Sequence, residues 1–243
     1  ASLMTTDASG ARRRLLGATA VMASGTAISR VLGFVRTMLV AFALGNVTTQ
    51  GDTFTLATVV PNNLYMIFAG GALNQVLVPQ VVRHIHADAD DGEAYVNRIM
   101  TAFLLALGVV TVVAVAFTPQ VMSLWMGSSW FSGRLAAHRG ALFFLAYLTM
   151  PQLFFYGAFF LIGQVLNARE RFGPLMWAPI VNNLVQIVVL GSYAVIWARQ
   201  ADHSVPFTGD QVLLLGIGST VGIVAQTAAL LPAMRAIGFR YRP

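Results

Sequence analysis

The 243-residue chain contains no cysteine and no lysine. Without cysteine there can be no disulfide framework, thiol nucleophile or thiolate metal site. Without lysine, all fifteen basic residues are arginines, which reads as codon composition rather than mechanism. Charge of either sign is scarce: 10% of residues are charged, against about 25% in soluble domains. The four histidines, His84, His86, His138 and His203, fall in loops or at the ends of apolar runs. These shortages remove most enzyme classes. An intramembrane serine protease needs a serine and a histidine at membrane depth, and an aspartyl type needs two acids there. Neither set is present, metal ligands are lacking, and no glycine loop of the phosphate-cradling kind occurs. The chain therefore reads as a non-enzyme that needs no cofactor and no metal.

What is abundant is apolar surface. Hydrophobic residues make up 57% of the chain and its mean hydropathy is +0.71. A helix crosses the hydrocarbon in about 20 residues, and six windows qualify: 15–44, 52–82, 98–117, 140–166, 174–197 and 212–236. In lipid the backbone must satisfy its own polar groups, so each window is expected to be helical. The fold class expected is an all-α polytopic membrane protein with six transmembrane helices. The start is no cleavable signal, because the apolar run after Arg12, Arg13 and Arg14 far exceeds an h-region of roughly 7–15 residues.

Arginine placement orients the spans. The two tails and the second and fourth loops hold ten arginines, including Arg83, Arg98, Arg169 and Arg171, while the other loops hold Arg134, Arg139 and Arg199. By the positive-inside rule both termini are cytoplasmic. Residues 1–14 form an N-terminal tail, 15–237 the membrane unit and 238–243 a C-terminal tail. The net charge of +6 then reports topology and attraction to anionic membrane lipids rather than nucleic-acid binding, for which no basic, aromatic-interleaved soluble segment exists. Trp130 and Phe131 in the third loop read as interfacial anchors.

Two arginines break the pattern. Arg30 and Arg36 lie inside the first span, where each costs about 2.5–3.5 kcal/mol on insertion scales. Ser29, Gly33 and Arg36 fall at i, i+4 and i+7, close to one stripe of a helix, so this polar stripe is expected to face a cavity; the alternative is snorkelling to an interface. Asp52, at the mouth of the second span, is the one acid placed to compensate them. An underpaired cationic site favours an anionic substrate, and a guanidinium fork suits phosphate. The second span carries Pro61, Asn62, Gly70, Gly71 and Pro79, which read as a gate or helix break or, alternatively, as a kink packed by small residues. Pro61-Asn62-Asn63-Leu64 is echoed by Asn182-Asn183-Leu184 after Pro179, either a trace of a three-plus-three repeat or independent interhelical bonding. The phenylalanines of the fourth span read as packing or lipid-facing surface, and Gly216, Gly218 and Gly222 as close helix contact.

These residues carry a resemblance. Ser29-Arg30-Val31-Leu32-Gly33-Phe34-Val35-Arg36, then Gly45, Asp52, Phe54, Pro61-Asn62, Gly71-Ala72 and Val78-Pro79, then Asn167 to Pro174 and Leu231-Pro232 to Ile237-Gly238, resemble the MurJ/MviN family of lipid II flippases. That family lies within the multidrug/oligosaccharidyl-lipid/polysaccharide exporter superfamily. The resemblance implies one six-helix lobe, the N-terminal one, of a two-lobed alternating-access fold in the bacterial cytoplasmic membrane. It also implies a C-terminal lobe of the same protein as partner and an undecaprenyl-pyrophosphate-linked precursor, lipid II, as substrate. Arg30 and Arg36 would grip the pyrophosphate, Ser29 would line the cavity and Asp52 would act at the outer gate. The chain departs from the family at Thr37, where an acid is common, at Tyr65 and Met66, where arginines are usual, and at Gly70, where a glutamate is usual. Competing readings are an exporter of another lipid-linked oligosaccharide and a non-transporting scaffold for cell-wall enzymes.

Overall fold

The structure is a computed structural model that describes residues 2–70, 79, 93–197, 199 and 202–242, with side chains from Leu15 onward. Every regular element among the described residues is helical: α1 (Ser2–Leu44), α2 (Thr49–Ala69), α3 (Glu93–Ala116), α4 (Thr118–Ser123), α5 (Ser129–Ser132), a 3-10 turn at Ala136–His138, α6 (Arg139–Thr149), α7 (Gln152–Ala168), α8 (Gly173–Trp197), α9 (Gly209–Ala228) and α10 (Leu231–Ala236). Five stretches are long and apolar enough to cross a membrane: Leu15–Leu44, Ala94–Ala116, Ala136–Ala168, Gly173–Trp197 and Gly209–Ala236. α2 is not among them, because Asp52, Asn62 and Asn63 dilute its apolar character. The rest of its expected window, residues 71–78 and 80–82, lies outside the described residues.

The turn from α1 into α2 is set locally. Gly45 has φ +84°, a left-handed conformation that glycine adopts without steric cost. Thr48 then caps α2 from an extended backbone, its hydroxyl accepting from the Gly51 N–H at 2.9 Å.

Proline 61 does not end α2. A proline has no N–H for the carbonyl four residues back, here that of Ala57. The Thr149 hydroxyl, at the end of α6, donates to that carbonyl at 2.7 Å and replaces the missing bond. The helix therefore runs on to Ala69, and Gly70 closes it by donating to Met66 at 3.0 Å. Both Ala57 and Thr149 are fully buried. Thr149→Val keeps the shape and strands the carbonyl, so a loss of about 1–3 kcal/mol is expected, read as a lower unfolding midpoint in detergent.

The same device joins α9 to its neighbours. The chain breaks between α6 and α7 before Pro151, and the Thr220 hydroxyl donates to the Leu148 carbonyl in the last turn of α6 at 2.7 Å. Two turns along, Thr227 donates to Phe155 at 3.1 Å. Gly216 permits the approach: a Cβ there would sit 2.7 Å from that of Leu148, and Gly218 lies equally hard against Val189. The expected close contact at these glycines is what the helices make.

One buried cluster runs from the end of α1 through α2, α6 and α8 and includes Leu44, Val60, Leu142, Leu145 and Tyr193. A smaller one joins α3, α7 and α10 around Met100, Leu161 and Leu230. The third loop departs from the expectation that both of its aromatics anchor an interface. It folds into α4, α5 and the 3-10 turn, so Trp130 is 6% exposed and packs in the larger cluster rather than anchoring an interface. Phe131 stays exposed beneath Arg139, whose guanidinium carbon is 5.7 Å from the ring centre.

The segment 202–207 is tied to the start of α2 through Gln50. The Gln50 side chain donates to the Val205 carbonyl at 3.0 Å, while its oxygen meets His203 Nδ1 at 3.2 Å and the Tyr193 hydroxyl at 3.5 Å. Thr49 adds a hydroxyl bond to the His203 carbonyl at 2.9 Å, and His138 Nε2 lies 3.0 Å from the Ser204 carbonyl. Asp202 accepts from the Ser204 hydroxyl and N–H, which hold its carboxyl below the usual carboxylate range.

Candidate substrate cavity

Apolar spans bury their shared faces, and what they leave open here is a cavity of about 370 Å³ bounded by α1, α2, α7, α8 and α9. α1 contributes Arg36, Thr37 and Val40, positions that share one helical face. Its rotation is fixed against α8. Asn183 Nδ2 donates to the Ser29 carbonyl at 3.0 Å and lies 3.5 Å from the Ser29 hydroxyl, and Trp177 Nε1 donates to Val21 at 3.1 Å. With Ser29 held on α8, Arg36 two turns further on comes to the cavity wall.

Among the described residues Arg36 is the one charged residue on that wall, and no aspartate or glutamate lines it. Among the described residues no carboxylate pairs with it. The remaining lining is apolar or neutral: α2 supplies Thr58 and Asn62, α7 supplies Gln152 and Tyr156, and α8 and α9 close the back with Asn182, Gln186 and Ser219. A partly buried guanidinium with no acid beside it is an anion site in electrostatic terms.

The residues singled out in the sequence separate into groups. Arg36 and Asn62 share the wall. Ser29 and Gly33 face Asn183 of α8; a Cβ at Gly33 would lie 3.8 Å from its amide nitrogen. Arg30 is exposed and does not line the cavity. Asp52 is exposed in the first turn of α2, where a negative charge suits the helix N-terminus. Pro61 is buried within α2, Gly70 caps it, and Gly71 lies outside the described residues. Of the echoed asparagines, Asn183 bonds across helices, whereas Asn62 and Asn182 line the cavity. Gln152, Tyr156 and Ser219 were not singled out. Their signal was weak, since uncharged polar residues in apolar spans equally well serve helix packing.

The family described as "Lipid II flippase MurJ" matches residues 40–243. The chain belongs to that family. The match begins just past Arg36, but pairwise likeness reaches further back. A Vibrio cholerae protein named "Probable lipid II flippase MurJ" is 30% identical over 95% of this chain and 43% of its own length. A Haemophilus influenzae protein of the same name is 28% identical over 90% of this chain and 41% of its own. The chain thus spans about two fifths of the length of these relatives. Its fold is similar to that of a solved structure titled "Lipid II flippase MurJ, inward closed conformation", with TM-score 0.64 and 17% identity, covering 91% of this chain and 42% of that one. Family and helices together make this a multi-pass membrane protein of a flippase family.

Proposed function

We propose that the chain is the N-terminal lobe of a lipid II flippase of the bacterial cytoplasmic membrane, acting by transport with no bond made or broken. The observation that carries the reading is the cavity wall, which among the described residues has one guanidinium, no carboxylate and otherwise uncharged lining. An arginine kept inside a span at a cost of about 2.5–3.5 kcal/mol calls for a compensating partner. The pyrophosphate of a lipid-linked precursor supplies it, and the planar donor fork fits two phosphate oxygens. The names of the relatives add lipid II as the substrate.

In this reading Arg36 holds the pyrophosphate, and Arg30, six residues earlier and exposed, meets the head group on its way in or from the side of the second lobe. Ser29 and Gly33 act by seating α1 on α8, and Asp52 acts at the outer mouth. Asn62 lines the path, while Pro61 and the Gly70-Gly71 pair set where α2 can bend. Both termini face the cytoplasm on the arginine distribution, and a C-terminal lobe of the same protein completes the cavity. The polyprenyl tail stays in the bilayer while the lobes rock about the bound head group.

The test is complementation by the full-length protein in a bacterium depleted of its own lipid II flippase, with lipid II counted at the outer leaflet. Restored exposure is expected. Wild-type membrane levels with no restored exposure would point to another lipid-linked oligosaccharide or to a scaffold, and would end the lipid II reading.

A further inference from the structure

A second cleft, of about 680 Å³, lies among α3, α7, α10 and the tail 238–242, and it shares no lining residue with the cavity of Arg36. Local signals build it. Just past α10, Gly238 has φ +75°, the left-handed conformation of a glycine C-cap. The paired bonds of that cap are present: the Phe239 N–H donates to the Met234 carbonyl at 3.2 Å and the Gly238 N–H to the Arg235 carbonyl at 3.0 Å. The turn sends residues 239–242 across the start of α3. There Asn97, 6% exposed, accepts from the Arg242 N–H at 3.0 Å and donates to the Arg240 carbonyl at 3.5 Å. The hydroxyls of Thr101 and Tyr241 lie 2.8 Å apart. These side-chain bonds make the tail one wall of the cleft.

The cleft is amphiphilic. Its floor is Met100, Leu104, Ile162 and Phe239, all buried except the half-buried Leu104. Its rim is Arg235, in the last turn of α10, and Arg240, both exposed; among the described residues no carboxylate lines it. Simpler occupants leave half of this chemistry unused. A soluble phosphate has nothing to lay on the apolar floor, and an apolar helix brings no charge to two guanidinia. A phospholipid with an anionic head group uses both, its phosphate oxygens meeting the guanidinium donors and its acyl chain covering the floor. In the orientation proposed above, this end of the helices meets the cytoplasmic leaflet, whose anionic lipids attract basic segments.

We infer that this cleft binds an anionic phospholipid, with its phosphate on Arg235 and Arg240 and an acyl chain along Met100, Leu104 and Ile162. The site is separate from the substrate cavity and stands whether or not Arg36 holds an anion. It ties the tail that leaves α10 to the composition of the surrounding bilayer.

Binding of phosphatidylglycerol to the full-length protein in detergent is measured for wild type, Arg235→Gln, the double variant Arg235→Gln with Arg240→Gln, and Arg36→Ala. Phosphatidylcholine is the control without net charge, and inorganic phosphate and a polyprenyl pyrophosphate are offered as competitors. Wild type is expected to prefer phosphatidylglycerol. Arg235→Gln is expected to weaken it roughly fivefold and the double variant roughly 30-fold, as for one and two basic residues at a membrane surface. Both arginines are exposed, so these exchanges leave the apolar packing intact. Arg36→Ala is expected to bind phosphatidylglycerol as wild type does. Equal binding of the two phospholipids by wild type, or equal phosphatidylglycerol binding by wild type and double variant, overturns the site. Displacement by inorganic phosphate at equal concentration would make it a site for the free anion and overturn the lipid. Displacement by the polyprenyl pyrophosphate at the cleft, or loss of phosphatidylglycerol in Arg36→Ala, would give the binding to the transport path and also overturn it.

Discussion

Arg36→Ala in the full-length protein is expected to cut lipid II translocation by about 30-fold to several thousandfold while leaving the amount of protein in the membrane near wild type. Both bounds come from truncating one partner of a hydrogen-bonded charge pair, worth about 2–5 kcal/mol. The unchanged abundance follows from the geometry. Among the described residues Arg36 has no ion pair to lose, and its removal relieves an uncompensated charge in a span. Arg36→Lys keeps the charge but not the planar fork and is expected to fall between. Arg30→Ala is expected to have the smaller effect, because Arg30 is exposed and off the wall. The measurement is lipid II reaching the outer leaflet in cells whose sole flippase is the variant. Full transport by Arg36→Ala at normal abundance removes Arg36 from the mechanism.

The largest expected loss of stability lies elsewhere, at Gln50. This side chain is 1% exposed and serves the Val205 carbonyl, the Tyr193 hydroxyl and His203 at once. Gln50→Leu fills the space yet leaves three polar groups without their partner, so about 3 kcal/mol is expected to be lost. The effect should be local in origin, with amide exchange rising first in residues 202–207, which Gln50 ties to α2. Thermal unfolding of purified variant and parent checks the magnitude. An unchanged midpoint would show that water replaces the Gln50 bonds without loss.

The all-helical membrane class could be read from the sequence because it depends on composition and run length, which are local properties. Arg36 could be read for a related reason: a charge inside an apolar run is costly wherever the rest of the chain lies. The course of α2 could not be read. Pro61 in isolation argues for a break, and what carries the helix through it is the Thr149 hydroxyl from α6, 92 residues away. Trp130 shows the same limit, since an aromatic in a loop looks interfacial until α4, α5 and the 3-10 turn fold it into the core. The stripe Ser29, Gly33 and Arg36 was visible as a helical face. Only the position of α8 divides it, giving Ser29 and Gly33 to Asn183 and Arg36 to the cavity. The buried glutamines carry no charge penalty, so nothing in the sequence separated a packing glutamine from one facing a cavity.

Equilibrium binding of a polyprenyl pyrophosphate to the purified full-length protein, compared between wild type and Arg36→Ala, tests the central claim that this cavity holds an anion. The account predicts that wild type binds and that Arg36→Ala loses most of the affinity. It also predicts that raised salt weakens wild type more than the variant, because screening acts on the charge. Equal affinity of the two proteins for that lipid, with the same salt dependence, would contradict it.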